Sequence, residues 1–266
     1  MRYEGKTVVV TGASVGIGRA LCLALAPQRP RLVLASRDEA KLEEVAGECR
    51  ALGAEALVVP TDVGVEAQCR ALVARAVAQF GGLDVLVNNA GLSMWARLDE
   101  LSDLSIYERI MRVNYLGCVW LTHAALPHLK RTRGQVVVIG SLLGLTGAPT
   151  RTGYAASKHA LMGFYDSLRI ELMGTGVDIT MIAPDFVVTE IHKRSEGADG
   201  RPLGDTPMQE SKIMTAEACA AMILHGMEKR QRLVIGSLRG KLGRFVRLFA
   251  PGVIDRVAQR AIARGR

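Results

Sequence analysis

A β-branched run, Val8-Val9-Val10-Thr11, breaks into Gly12-Ala13-Ser14-Val15-Gly16-Ile17-Gly18 and resumes as Arg19-Ala20-Leu21-Cys22-Leu23-Ala24-Leu25, apolar at helical spacing. Few features constrain a fold more, because strand, tight loop and helix must then follow one another without a linker. Glycines let the backbone turn sharply and come close to a ligand. The first turn of the helix that follows offers unpaired N–H groups and the positive end of its dipole. The spacing Gly-x-x-x-Gly-x-Gly suits a loop that cradles a nucleotide pyrophosphate, although it differs from the Gly-x-Gly-x-x-Gly of many dinucleotide sites. Taken alone, the same loop could be an ordinary tight turn.

Further short apolar runs recur behind it, at Arg31 to Ala35, Ala56 to Pro60, Val85 to Val87, Gln135 to Ile139, Asp178 to Ile182 and Leu233 to Ile235, separated by stretches of helical length. With Thr7 to Val10 they make seven strands. Strand alternating with helix predicts an α/β fold, a doubly wound Rossmann-type parallel sheet with right-handed crossovers and helices on both faces. Such sheets bind ligands beyond the carboxyl ends of their strands. The unusual residues fall there: the glycine loop after the first strand, Ser36-Arg37 after the second, Asp62 after the third, Asn88-Asn89-Ala90-Gly91 after the fourth, Ser141 after the fifth and Pro184 after the sixth. One site is expected along that edge. Lys193 to Pro207, polar and rich in Gly and Pro, lacks periodicity and reads as a mobile surface lid.

At 266 residues, 49% of them hydrophobic, the chain can bury one sizeable core. Cys22, Cys49, Cys69, Cys118 and Cys219 are odd in number and scattered, without a CxxC pair. That argues against a disulfide framework or a zinc site and for reduced, mostly buried thiols in a cytoplasmic protein. The five histidines show no metal spacing, so no metal is expected. The first strand begins by Thr7, leaving no room for a signal peptide, and no apolar run is long enough to span a bilayer. A soluble or at most peripheral protein is expected. Of the net charge of +8, +7 belongs to residues 237–266, where eight basic residues face the single acid Asp255. The body of the chain, residues 1–236, is nearly neutral, and a nucleic-acid role loses its support. The sequence thus divides into a nearly neutral body, residues 1–236, and a basic, amphipathic C-terminal extension, residues 237–266.

Tyr154 and Lys158 stand four residues apart in Tyr154-Ala155-Ala156-Ser157-Lys158, hence on one face of a helix. Alone the pair is a weak signal. Ser141 lies just beyond the fifth strand and Asn114 in the preceding helical stretch, and together the four can move a proton. A phenol titrates near 10 in water, so its use near neutral pH needs about 4 kcal/mol of preferential phenolate stabilisation, which a neighbouring ammonium can supply.

In this order and spacing, TGASVGIG, Asp62, NNAG, Asn114, Ser141, the YxxxK pair and a proline after the sixth strand resemble the short-chain dehydrogenase/reductase family over about residues 5–236. The resemblance implies an oxidoreductase using a nicotinamide dinucleotide. Ser141 would hydrogen-bond the substrate carbonyl, Tyr154 would donate the proton, Lys158 would favour the phenolate and hold the nicotinamide ribose, and Asn114 would anchor a water relaying protons to Lys158. It also implies a cofactor surface of Gly12, Ser14, Gly16, Ile17, Gly18, Arg37, Asp62, Val63, Asn89, Ala90 and Gly91, with Tyr154, Lys158, Pro184, Val187 and Thr189. Asp62 either grips the adenine amino group, as in the family, or caps the next helix. Where the family usually has Pro-Gly after the sixth strand, this chain has Pro184-Asp185, placing a carboxylate near the nicotinamide carboxamide.

An acid at the end of the second strand would bind the adenosine ribose hydroxyls. Ser36 holds that place and Arg37 follows, a guanidinium able to grip a 2′-phosphate. NADP(H) is therefore expected over NAD(H), unless Arg37 merely starts the helix paired with Asp38 or Glu39.

After the last strand, Leu238, Leu242, Phe245, Val246 and Phe249, then Val253, Ile254, Val257, Ala258, Ala261 and Ile262 recur at helical spacing, with arginines between them and Pro251-Gly252 dividing them. This tail resembles that of the 11β-hydroxysteroid-dehydrogenase-like subgroup. Two readings stand: the helices lie peripherally in a membrane surface, or they pack on the domain or a second copy with their arginines in water. Met94, Trp95, Leu143, Leu145, Phe186 and Met208 are candidates for an apolar substrate wall. The stretches Ile106 to Arg131 and Tyr154 to Met173 correspond to helices that pair across a two-fold axis in the family, implying a homodimer or homotetramer. The expected activity is NADPH-dependent reduction of a hydrophobic ketone, lipid, steroid-like or acyl, to a secondary alcohol. Alternatives are a 3-oxoacyl thioester reductase, whose acidic carrier the basic tail would dock, and a non-catalytic dinucleotide sensor, which would not need Ser141, Tyr154 and Lys158 together.

Overall fold

The computed structural model describes residues 2–205 and 213–263. Seven strands, β1 (Thr7–Thr11), β2 (Arg31–Ser36), β3 (Glu55–Pro60), β4 (Val85–Asn88), β5 (Gln135–Ile139), β6 (Asp178–Ala183) and β7 (Leu233–Ile235), form one sheet in the order β3-β2-β1-β4-β5-β6-β7. All its pairs are parallel, as expected. The sheet is covered on both faces, which is why runs such as Val8-Val9-Val10 and Val136-Val137-Val138 are continuously β-branched rather than alternating. Val8, Val10 and Val137 meet α1 (Gly16–Leu25), α2 (Glu39–Ala51) and α7 (Ala216–Glu228). Val9, Val136 and Val138 meet α3 (Glu66–Phe80), α5 (Gly117–Thr132) and α6 (Thr152–Glu171) on the opposite face. The strand order reverses at β1, which lies between β2 and β4, and the crevice at this switch point is where such sheets take ligands.

Helix α4 (Ser105–Met111) runs into α5 through a π-helical turn, Arg112–Leu116, that carries the fully buried Asn114. Single π turns of this kind recur at functional sites. The polar segment expected to form a free lid is instead tied down over its described part. Trp95 N–H donates to Glu196 O at 2.8 Å, Glu196 N–H to Ser93 O at 3.2 Å, and Arg109 ion-pairs with Glu196. Residues 206 and 207 of that segment lie outside the described residues. All five cysteines are free and buried.

The chain ends in α8 (Leu238–Phe249) and α9 (Pro251–Ala263). Leu238, Leu242, Phe245, Leu248, Phe249 and Val257 are exposed, and so are Arg239, which pairs with Asp185, and Arg247, which donates to Leu145 O. Among the described residues no helix is long and apolar enough to cross a membrane.

Candidate active site

A cleft of about 1130 Å³ runs along the carboxyl ends of the strands. The loop after β1 forms its floor. Gly12 has φ +65°, and a Cβ there would stand 2.8 Å from Asn89 Nδ2 and 3.0 Å from Ala90 Cα. The loop can therefore press onto the end of β4 only as glycine. Asn89 fastens that approach, its Nδ2 donating to Thr11 O at 2.8 Å, while Thr11 Oγ1 accepts from the N–H groups of Asn89 and Ala90. Gly18 serves packing, since a Cβ on it would reach Gly12 O at 2.2 Å, and it does not line the cleft. The N-terminus of α1 has neither a side-chain cap nor an acid in its first turn. Its N–H groups and dipole are left for an anion, so the loop fits a dinucleotide pyrophosphate.

Ser14, Gly16, Ile17, Arg37, Asp62, Val63, Ala90, Gly91, Pro184, Val187 and Thr189 line the same cleft. Asp62 does not cap α3, whose N-cap is Val65 without a side-chain bond; its Oδ1 instead accepts from Gly64 N–H at 2.8 Å in the turn before that helix, and the residue borders the cleft. Lys41 takes Asp38 at 3.3 Å, and Arg37 makes no ion pair among the described residues. Arg37 borders the cleft beside Ser36 and Asp62.

At the other end lie Ser141, Tyr154 and Lys158. Ser141 Oγ accepts from Leu143 N–H at 3.1 Å, leaving its own proton to donate. Gly144 allows the turn at 142–144 to press on α6, since a Cβ there would meet Lys158 O at 2.9 Å. The buried Lys158 Nζ donates to Ile139 O at 2.9 Å and lies 5.6 Å from the Tyr154 ring centre. Two ammonium protons remain for a ribose or a phenolate. Asn114 stands behind the cleft rather than in it. Its Nδ2 donates to Leu92 O at 3.0 Å and Ser157 Oγ at 2.9 Å, and Oδ1 accepts from Leu92 N–H at 2.7 Å. It thereby ties α6 to the backbone after β4.

Leu143, Leu145 and Phe186 line the cleft as the apolar wall requires. Met94 does not: it is fully buried with Ile106 and Ile110, and its sulfur accepts from Gly153 N–H. Trp95 stacks on Arg151, 3.9 Å from ring centre to Cζ, and Met208 lies outside the described residues. Asp185 is occupied elsewhere. It accepts from Arg239 Nε at 2.6 Å and Nη2 at 2.8 Å and from Ser237 Oγ at 2.8 Å. Burial pushes its carboxyl up, but these bonds outweigh that and hold it below the ordinary carboxylate range. Gly240 completes the contact, because a Cβ on it would sit 2.6 Å from Leu142. Sequence reasoning missed Arg151, Ser157, His192 and Arg239. Only Arg151, three residues before Tyr154, and Ser157, beside Lys158, carried any positional signal.

The match to known proteins agrees with this geometry. The family model for short chain dehydrogenases covers residues 6–199. The chain belongs to that family and is an oxidoreductase acting on CH–OH groups through a fold that binds NAD or NADP. Within the family it falls in the 11β-hydroxysteroid-dehydrogenase-like subgroup. It is 34% identical to 11-beta-hydroxysteroid dehydrogenase A of Sesamum indicum, over 94% of this chain and 74% of that one. It is 36% identical to the Pinus massoniana 11-beta-hydroxysteroid dehydrogenase, over 95% and 72%. A Burkholderia phymatum short-chain dehydrogenase/reductase, solved in complex with NAD, superposes with TM-score 0.84 and 26% identity over 96% of this chain and 97% of that one. An alcohol dehydrogenase from Thermococcus sibiricus, complexed with 5-hydroxy-NADP, gives 0.73 and 29% over 86% and 94%.

Proposed function

We propose that the protein is an NADPH-dependent carbonyl reductase that converts a largely apolar ketone to a secondary alcohol. The observation that carries this reading is the convergence of Ser141, Tyr154 and Lys158 at the end of the cleft walled by Leu143, Leu145 and Phe186. The dinucleotide, when bound, supplies the hydride. Ser141 Oγ–H polarises the carbonyl, and Tyr154 gives its proton to the developing alkoxide. Lys158 holds positive charge beside the phenolate so formed, and Asn114 fixes Lys158 and Tyr154 in register by holding Ser157 between them on α6. Arg37, without a carboxylate partner among the described residues, favours the 2′-phosphate of NADPH. The substrate is a small molecule, and the exposed faces of α8 and α9 give the protein a peripheral membrane contact or a surface for its own copy.

Loss of NADPH absorbance with a panel of ketones tests the activity. Tyr154→Phe is expected to lower kcat about a hundredfold or more with cofactor affinity nearly intact, and Lys158→Ala to weaken cofactor binding as well. Turnover by Tyr154→Phe close to that of the unmodified protein would exclude Tyr154 as the acid.

A further inference from the structure

Arg151 caps the N-terminal end of α6, one turn before Tyr154, and is only 2% exposed. Its Nη1 donates to Ser93 Oγ and, at 3.0 Å, to Met94 O. Its guanidinium lies 3.9 Å over the Trp95 ring and 6.0 Å from the centre of the Tyr154 ring. Among the described residues no carboxylate pairs with it. Nε is buried without a partner, and Nη2 donates to no described residue. Those two groups form the edge of a guanidinium that grips a carboxylate side-on. Beside it stands His192, 7% exposed, with Nε2 on Val187 O at 3.1 Å and a buried Nδ1 that has no partner. Arg151, His192 and Tyr154 all border the cleft, whose walls carry more cations than carboxylates.

Holding Ser93 and Met94 O does not require a cation; a neutral amide would do so without the desolvation cost of a buried charge. Burial presses Arg151 down to about 10, and burial together with Arg151 presses His192 down to about 4. A buried charge that no described carboxylate neutralises, with an unpartnered Nε one helical turn from the reacting phenol, is a site built for a counter-ion.

We propose that Arg151, with His192 beside it, binds a carboxylate on the substrate. The substrate is then an oxo acid, or the matching hydroxy acid, with its carboxylate a few bonds from the reacting carbon and an apolar remainder along Leu143, Leu145 and Phe186. This assignment rests on the carbonyl-reductase reading of the same site for its chemistry, but not for its binding.

The test compares 4-oxopentanoate and 5-oxodecanoate with their methyl esters, in the unmodified protein and in Arg151→Met, Arg151→Lys and His192→Gln. With NADPH, kcat/KM is expected to favour each acid over its ester at least tenfold. In Arg151→Met that ratio should fall about thirtyfold or more, as for loss of one partner of a buried charge pair. Arg151→Lys, which keeps charge but not the bidentate edge, should retain part of the preference, mainly through a raised KM. Calorimetric binding of the acids to Tyr154→Phe with NADP present gives a readout independent of turnover. Binding of acid but not ester, lost when Arg151→Met is added, supports the site even if no ketone of the panel is reduced. Equal turnover of acid and ester by the unmodified protein, equal loss of both in every Arg151 variant, or acid binding that survives Arg151→Met would overturn it.

Discussion

Two single side chains carry predictions, Arg37 for the proposed cofactor preference and His192 for an acid-sensitive element of stability. Arg37→Asp removes the guanidinium at the adenosine end and adds the charge that a 2′-phosphate avoids. The ratio of kcat/KM for NADPH to that for NADH should fall by at least tenfold, and an unchanged ratio would remove Arg37 from phosphate recognition. His192 makes the second case. It sits neutral beside Arg151 with its folded pKa at about 4, below the ordinary 6.5. The unfolded chain therefore binds a proton on this imidazole at a pH where the folded chain does not. Stability from this group is whole above pH 6.5 and declines as pH falls toward 4, by about 3 kcal/mol in all. Urea midpoints from pH 4 to 7 should drop more steeply for the unmodified protein than for His192→Gln. Parallel curves would show that the imidazole stays uncharged for no energetic reason of its own.

Among the elements, α8 is held to the body by a carboxylate, with Arg247 on Leu145 O and Gly240 against Leu142 beside it. Asp185 replaces the glycine usual after the sixth strand and holds Arg239 by two bonds, at 2.6 and 2.8 Å, while Ser237 caps the helix at Gly240 N–H and also reaches Asp185. Asp185, which also borders the cleft, is in addition an anchor for the C-terminal helices. Bidentate pairing with a largely buried carboxylate is worth about 1–2 kcal/mol here, since the arginine itself remains exposed. Asp185→Gly should therefore speed tryptic cleavage at Arg244 and Arg247 severalfold, and Arg239→Gln should do the same without further loss in the double variant. Additive effects of the two changes would show that they do not act through each other.

For the whole molecule, the exposed apolar side of α8 and α9 calls for a covering. Phe245 is 67% and Phe249 78% exposed, with arginines alongside, a composition suited to an anionic interface. Co-sedimentation with anionic vesicles is expected at low salt, decreasing as salt rises and lost in Phe245→Ser/Phe249→Ser, because arginines near such a surface contribute about 1 kcal/mol each and are screened within a Debye length. Light scattering on the same variant separates this from self-association. A halved mass without any lipid binding in the unmodified protein would assign the face to a second copy of the chain.

The order of strands and helices, the glycine loop and the Tyr154–Lys158 pair were legible in the sequence because each rests on local geometry. Period-2 and period-3.6 patterns, a turn that needs positive φ at Gly12, and a four-residue spacing on α6 are all properties of contiguous residues. Contacts between residues far apart in sequence were not legible. Asp185 finds Arg239 across 54 positions, Arg109 finds Glu196 across 87, and Arg151 meets Ser93 across 58. Met94 reads as a substrate wall from its loop position, yet packing sends it into a small core with Ile106 and Ile110. The amphipathic period of α8 was likewise plain, but its attachment was not: Arg239 reaches Asp185 and Arg247 reaches Leu145 O, contacts across 54 and 102 positions that no local pattern contains.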